Sequence, residues 1–216
     1  MKTPILYLHG FASGPLSKKA LFFKDLCDRD GRTILIPALN LPGFHTLTIT
    51  RTLDTLTQQA ALLPSPPVIV GSSLGAYMAT LRTAQHRFPV SGLFLMAPAL
   101  AFTNLLDRLY KEELLRWRRE GEFTIDHPGY GKSLPLAYDF YLDAQRFPPF
   151  PETGDTLCRI VQGRLDKVVL PENSLLFTKG NPSREIFLFD DDHGLLNSLE
   201  PIGSLFQGFL SLLDKK

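Results

Sequence analysis

The sequence predicts an α/β fold: a doubly wound, mostly parallel sheet of about six strands. A small helical and hairpin cap is inserted at residues 101–152 of a single domain spanning 1–216. Three observations lead there. Short runs are apolar at every position, as strands buried on both faces require. Longer segments with helical spacing lie between them, and βαβα alternation is the pattern of a doubly wound sheet. One stretch, from Met96 to Leu157, is far longer than a simple crossover needs.

The apolar runs come in order. Ile5–Leu8 ends at His9-Gly10, Thr33–Ile36 at Pro37 and Val68–Val70 at Gly71. Leu93–Met96 ends at Ala97-Pro98, Leu157–Val161 at Gln162-Gly163 and Ile186–Phe189 at Asp190. Helices are expected over Leu16–Cys27, Leu47–Leu63, Leu74–Gln85, Pro171–Phe177 and Leu195–Leu213. The proline that opens the fourth suits a first helical turn. The long stretch holds an amphipathic helix around Phe102–Arg119. It also holds a hairpin (Glu122–Asp126, then Tyr130–Leu134, turning at His127-Pro128-Gly129) and a second helix around Leu136–Arg146. Such an insertion at the active edge of a sheet is either a lid or additional packed structure.

Totals exclude several function classes. A net charge of +1 with 21% charged residues directs the chain toward neither nucleic acid nor an anionic membrane. Two cysteines, Cys27 and Cys158, make neither a disulfide framework nor a zinc pattern and read as reduced, buried thiols. No apolar run approaches the roughly 18 residues of a membrane span. Met1-Lys2-Thr3-Pro4 leads straight into the first strand with no signal-peptide pattern, so the expected location is the cytoplasm. Nothing in the sequence fixes an oligomeric state.

Chemistry concentrates in Gly71-Ser72-Ser73-Leu74-Gly75, a G-x-S-x-G pattern between a buried strand and a helix. A serine on so sharp a turn needs small residues two before and two after it. Gly71 and Gly75 supply them, and Ala76 and Ala79 let the helix lie close to the sheet. The alternative is a serine that merely caps the helix. A nucleophilic serine needs a base, and the base needs a group that fixes its tautomer. Downstream histidines are His86, at the far end of the serine's helix, His127 in the expected hairpin, and His193 in Asp190-Asp191-Asp192-His193-Gly194. His193 follows the last strand at the sheet's carboxyl edge, where such sites gather, and is the expected base. Asp166, after the preceding strand, is the expected acid. Asp190, Asp191 and Asp192 sit too close in sequence to reach the far ring nitrogen and are expected to shape the loop instead.

The oxyanion of acyl transfer needs two aimed N–H groups, each worth about 3–4 kcal/mol. The backbone of Leu74, following the nucleophile, is one expected donor. Phe11, in the His9–Pro15 loop after the first strand, is the other. His9 itself is expected to bond within that loop. Phe102, Leu106, Trp117, Tyr138 and Phe140 either line an apolar acyl pocket or belong to the core.

Together, Leu8-His9-Gly10-Phe11, Gly71–Gly75, Gly163-Arg164-Leu165-Asp166 and Asp192-His193-Gly194 resemble the α/β-hydrolase superfamily over nearly the whole chain. More closely, His9–Pro15 with Ser17-Lys18-Lys19-Ala20 and the doubled serine are similar to small bacterial YqiA-type esterases. The resemblance implies an α/β-hydrolase fold, from which this chain is expected to depart by starting at the strand bearing His9-Gly10, without the two leading strands of larger relatives. It also implies a Ser73–Asp166–His193 triad acting on short acyl esters, and the triad's chemistry needs no metal and no organic cofactor. The middle section here is longer than in those esterases. The expected partner is a small ester or thioester. Other readings on the same residues are a thioesterase or acyltransferase, a cofactor-free peroxidase or C–C hydrolase, and a ligand-binding protein on a hydrolase scaffold.

Overall fold

The computed structural model describes residues 2–40 and 43–215. Six strands form one parallel sheet: β1 (Ile5–Leu8), β2 (Ile34–Leu35), β3 (Val68–Ser72), β4 (Gly92–Met96), β7 (Cys158–Gly163) and β8 (Arg184–Phe189). Their order is β2-β1-β3-β4-β7-β8, and every pairing is parallel. A separate antiparallel pair, β5 (Glu122–His127) and β6 (Lys132–Ala137), is the expected hairpin.

Alternation along the strands divides the core in two. Ile5, Tyr7, Val68, Val70, Phe94 and Met96 face α1 (Lys18–Arg29) and α8 (Leu199–Leu213). Leu6, Leu8, Ile69, Leu93, Leu95 and Ile160 face the other way. There they meet α2 (Ile49–Ala60), α3 (Leu74–Ala84), α7 (Pro171–Thr178) and the insertion. Helices on both faces explain why these strands are apolar throughout. The two thiols are free and buried on opposite faces, Cys27 in one cluster and Cys158 in the other. Burial pushes each up to about 12.

Three elements differ from the sequence reading. The long helix expected near Phe102–Arg119 is two helices, α4 (Phe102–Leu109) and α5 (Leu114–Glu120). Tyr110 leaves helical geometry, and its ring packs against Trp117 and Phe123. Aromatic burial outweighs helical continuity there. The helix expected from Leu136 begins only at Asp139, as α6 (Asp139–Ala144). Leu136 and Ala137 instead pair with Phe123 and Glu122, and the Leu136 carbonyl accepts the indole N–H of Trp117 at 2.9 Å. The last helix begins at Leu199 rather than Leu195, whose φ of 53° is incompatible with a helix.

Among the described residues no helix is long and apolar enough to cross a membrane.

Candidate active site

Strand order explains why distant segments meet. From β1 the chain runs outward to β2 on one side, then returns to β3 on the other. Loops leaving the carboxyl ends of β1 and β3 therefore diverge from adjacent strands, which opens a crevice. Register pairs Leu8 with Gly71, so His9-Gly10-Phe11 and Ser72-Ser73 leave the sheet side by side. A Cβ on Gly10 would stand 3.3 Å from the Ser73 Cβ.

Ser73 sits at φ 53°, ψ −116°, an uncommon conformation for a residue with a side chain. Contacts on all sides hold it there. Its N–H donates to Met96 O at 2.9 Å, and its carbonyl accepts from Ala76, Tyr77 and Ala99 at 3.0–3.1 Å. The flanking glycines are sterically required. A Cβ at Gly71 would lie 2.4 Å from Ala76 Cα, and one at Gly75 only 2.3 Å from Leu8 O. α3 can start this close to β1 only without those side chains, and its positive end then faces the serine.

His193 reaches Ser73 across the crevice. Its Nε2 is 3.1 Å from Ser73 Oγ, and its Nδ1 is 2.8 Å from Asp166 Oδ2. The carboxylate accepts an N–H from Nδ1, which leaves the Nε2 lone pair for the serine hydroxyl. Asp166 is itself fixed on three sides. Oδ1 accepts the N–H groups of Val168 and Val169 at 2.9 and 2.8 Å, and Oδ2 also accepts Gln162 Nε2 at 3.0 Å. Burial pushes the carboxyl upward. The bond and charge of His193, with the two backbone N–H groups, outweigh it and hold the pKa below the ordinary carboxylate value. The loops that carry Asp166 and His193 touch through Gly163, where a Cβ would be 2.4 Å from Asp191 O. Leu165 N–H donates to that same carbonyl.

The neighbouring acids do different work. Asp191 accepts from Asp192 N, Asn197 N, Asn197 Nδ2 and Ser198 Oγ, and so folds the loop that carries His193. Asp192 accepts from Gly194 N, and Asp190 pairs with Arg164 near the surface. His9 is buried, with Nδ1 2.9 Å from Gly10 O and Nε2 accepting Leu39 N–H at 3.1 Å. It thereby ties the first loop to the next. Its pKa is lowered chiefly by burial, with the Gly10 bond opposing and His127 adding to the shift.

Neither Phe11 nor Leu74 has its backbone N–H bonded to a protein acceptor among the described residues. Both stand beside Ser73, and with His9, Gly10 and Met78 they line a narrow cavity of about 10 Å³. That is room for a single water at most.

The five side chains considered for an acyl pocket pack in or against the core. Phe102, Leu106, Trp117 and Phe140 are buried in the core, and Tyr138 packs against it. Phe140 stacks on Phe11 at 5.4 Å and meets Phe102 edge-on at 5.8 Å. Tyr138 packs on Trp117 and Tyr141. Their packing fits the core alternative: the insertion folds down, and its aromatics bury one another. Its hairpin also grips the β1 loop. Gly129 N–H donates to Ala12 O at 3.2 Å, and Asn40 bridges Ser13 O and His127 Nε2.

Gln162, Asn40 and Lys19 also stand at this edge, although the sequence motifs assign them no role. Gln162 carried a signal: an amide at a core-facing position of an otherwise apolar strand. Besides Asp166 it donates to Val169 O at 3.2 Å, and it accepts Ser174 Oγ at 2.8 Å. The ammonium of Lys19 shares this edge. Burial lowers its pKa to about 8, while Asp166, Asp192 and Asp191 pull the other way.

A family model described as "Uncharacterised protein family (UPF0227)" matches residues 4–206. No curated protein sequence matches significantly. Similar solved structures include alpha/beta hydrolase domain-containing protein 10 from mouse. It is 19% identical with a TM-score of 0.76, covering 97% of this chain and 90% of that one. Est1E from Butyrivibrio proteoclasticus, with ferulic acid bound, is 18% identical with a TM-score of 0.77, covering 100% and 91%. MGS-MChE2, an alpha/beta hydrolase enzyme from a lagoon-sediment metagenome of Mar Chica, Morocco, is 20% identical with a TM-score of 0.71, covering 99% and 93%. At these identities the likeness carries the fold, which is that of the α/β hydrolases.

Proposed function

The chain belongs to the UPF0227 family and has the α/β-hydrolase fold, and from that premise we propose that it is a serine hydrolase cleaving short-chain carboxylic esters. One observation carries the reading: the relay from Ser73 Oγ to His193 Nε2 at 3.1 Å and from His193 Nδ1 to Asp166 Oδ2 at 2.8 Å. Both separations lie within the reach that proton transfer requires.

In this reading His193 takes the Ser73 proton as Oγ attacks the ester carbonyl. Negative charge develops on the carbonyl oxygen between the unpaired N–H groups of Phe11 and Leu74. The alcohol leaves with the proton held on His193 Nε2. Water, deprotonated by His193, then releases the acid and regenerates the hydroxyl. Asp166 remains ionised and stabilises the imidazolium. Its depressed pKa supports that role. Lining side chains at the insertion are not required for this chemistry, and residues 101–152 act as a cap that fixes the β1 loop rather than as an acyl tunnel.

The test is a panel of nitrophenyl esters and acyl-CoA thioesters, each with and without an added alcohol acceptor. The expected result is hydrolysis of the shortest nitrophenyl esters by the wild type and its loss in Ser73→Ala. Preference for thioesters, or transfer to the alcohol, would redirect the assignment within the same triad. Full turnover by Ser73→Ala would remove it.

A further inference from the structure

An open cavity of about 640 Å³ lies away from Ser73, between α2, the carboxyl end of α3 and the end of the insertion. Three arginines from two of these segments line it: Arg82 and Arg87 from α3 and the turn after it, and Arg146 from the insertion. Asp54, Gln58 and Gln85 complete its polar wall.

Arg82 is the unusual member. It is 3% exposed, and its Nε is buried without a partner. Two other arginines are also buried and each makes several hydrogen bonds, although the Nε of Arg184, like that of Arg82, has no partner. Arg32 donates to Asp214 at 2.6 and 3.2 Å, to Asp30 at 3.0 Å and to Thr3 O at 2.7 Å. Arg184 donates to Phe177 O, Glu152 and Thr153, with its guanidinium over the Phe177 ring. Among the described residues the Arg82 side chain has no hydrogen bond and no ion pair; Asp54, which is exposed, acts on it only through space. A guanidinium whose Nε is buried without a partner, and which has no adjacent counter-charge, costs folding free energy. Such a cost is kept where a ligand supplies the missing charge.

We propose that this cavity binds the phosphate group of a small phosphorylated metabolite. Three arginines share the lining with a single carboxylate, Asp54, while Arg146 Nη1 also donates to Asp143 at 3.1 Å. A tetrahedral dianion offers acceptor oxygens to several forks at once, whereas a planar carboxylate offers two and half the charge. Gln58 and Gln85 add neutral donors. The site is distinct from the reacting centre: Arg82 stands about 14 Å along the α3 axis from Ser73, at ~1.5 Å per residue.

Thermal melting in inorganic phosphate, and separately in glycerol phosphate, against chloride at equal ionic strength provides the test. Glycerol alone is the control. Wild type should show a saturable rise in Tm with both phosphates, the monoester acting at no higher concentration than the free ion. Arg82→Met should melt at least as high as wild type without phosphate, because the buried charge is gone, and should lose the response. Arg87→Ala and Arg146→Ala alter exposed side chains and should weaken the response tenfold or more. The proposal is overturned if phosphate stabilises wild type no more than chloride does, or if only inorganic phosphate acts. It is overturned equally if Arg82→Met or the paired Arg87→Ala/Arg146→Ala variant responds like wild type.

Discussion

Replacing Asp166 with asparagine changes one atom and should reverse the direction of the relay. The surroundings decide how the new amide sits. Oδ1 of Asp166 accepts two backbone N–H groups, from Val168 at 2.9 Å and Val169 at 2.8 Å. An amide NH2 cannot replace an acceptor facing two donors, so the asparagine oxygen must stay on that side. Its NH2 then takes the Oδ2 position, 2.8 Å from His193 Nδ1. There it donates to Nδ1, which places the imidazole proton on Nε2. That proton points at Ser73 Oγ, and the base is lost although the geometry is nearly unchanged. The corresponding change in a serine protease costs about 10⁴-fold in kcat, roughly 5–6 kcal/mol of barrier. The same order is expected here. The NH2 would also face Gln162 Nε2, so a stability loss of about 1–3 kcal/mol should accompany it. Initial rates on a nitrophenyl ester at neutral pH, with circular dichroism to confirm folding, measure both. A folded Asp166→Asn variant within tenfold of wild-type kcat would refute the tautomer argument.

Gly75→Ala should be costly out of proportion to one methyl group. Its Cβ would lie 2.3 Å from Leu8 O and 2.6 Å from His9 O. α3 would have to withdraw from β1, at a cost of about 1–3 kcal/mol or more, and take the Leu74 N–H out of line with Phe11. Thermal melting and kcat should both fall, and no change in either would show that the close approach is dispensable. Acid should loosen the joined termini. Hydrogen bonds from Arg32 hold the Asp214 carboxyl well below the usual carboxylate range, against a smaller upward push from burial, and Thr3 adds two more bonds. A depressed folded-state pKa gives stability that is present above the unfolded value near pH 4 and lost as pH falls. Asp214→Asn should therefore flatten the acid limb of the Tm profile and lower Tm at neutral pH, and an unchanged acid limb would count against the ion pair.

Much of this was legible in the chain. Uniformly apolar strands such as Val68–Val70 announce burial on both faces, and the glycines around Ser73 announce a turn too tight for side chains. His193 and Asp166 could be chosen because each follows a strand, and strand ends share one edge whatever the order of strands. The insertion was less readable. Leu136 and Ala137 fit a helix by spacing and were claimed by hairpin pairing, a nonlocal interaction that no local pattern reports. Trp117 and Phe140 read equally well as pocket wall or core, because an aromatic records only that it is buried. Gln162 and Arg82 are hard to read for a related reason: a single polar residue in an apolar strand or helix shows its meaning only once its surroundings can be seen.

The most direct test of the account is the site at which a fluorophosphonate becomes attached. Digestion and tandem mass spectrometry of the labelled protein separate Ser73 from its neighbour Ser72, which is buried within β3. The account predicts one adduct, on Ser73, absent from Ser73→Ala and formed far more slowly in His193→Ala. An adduct on Ser72, or labelling of Ser73 at the wild-type rate without the imidazole, would contradict it.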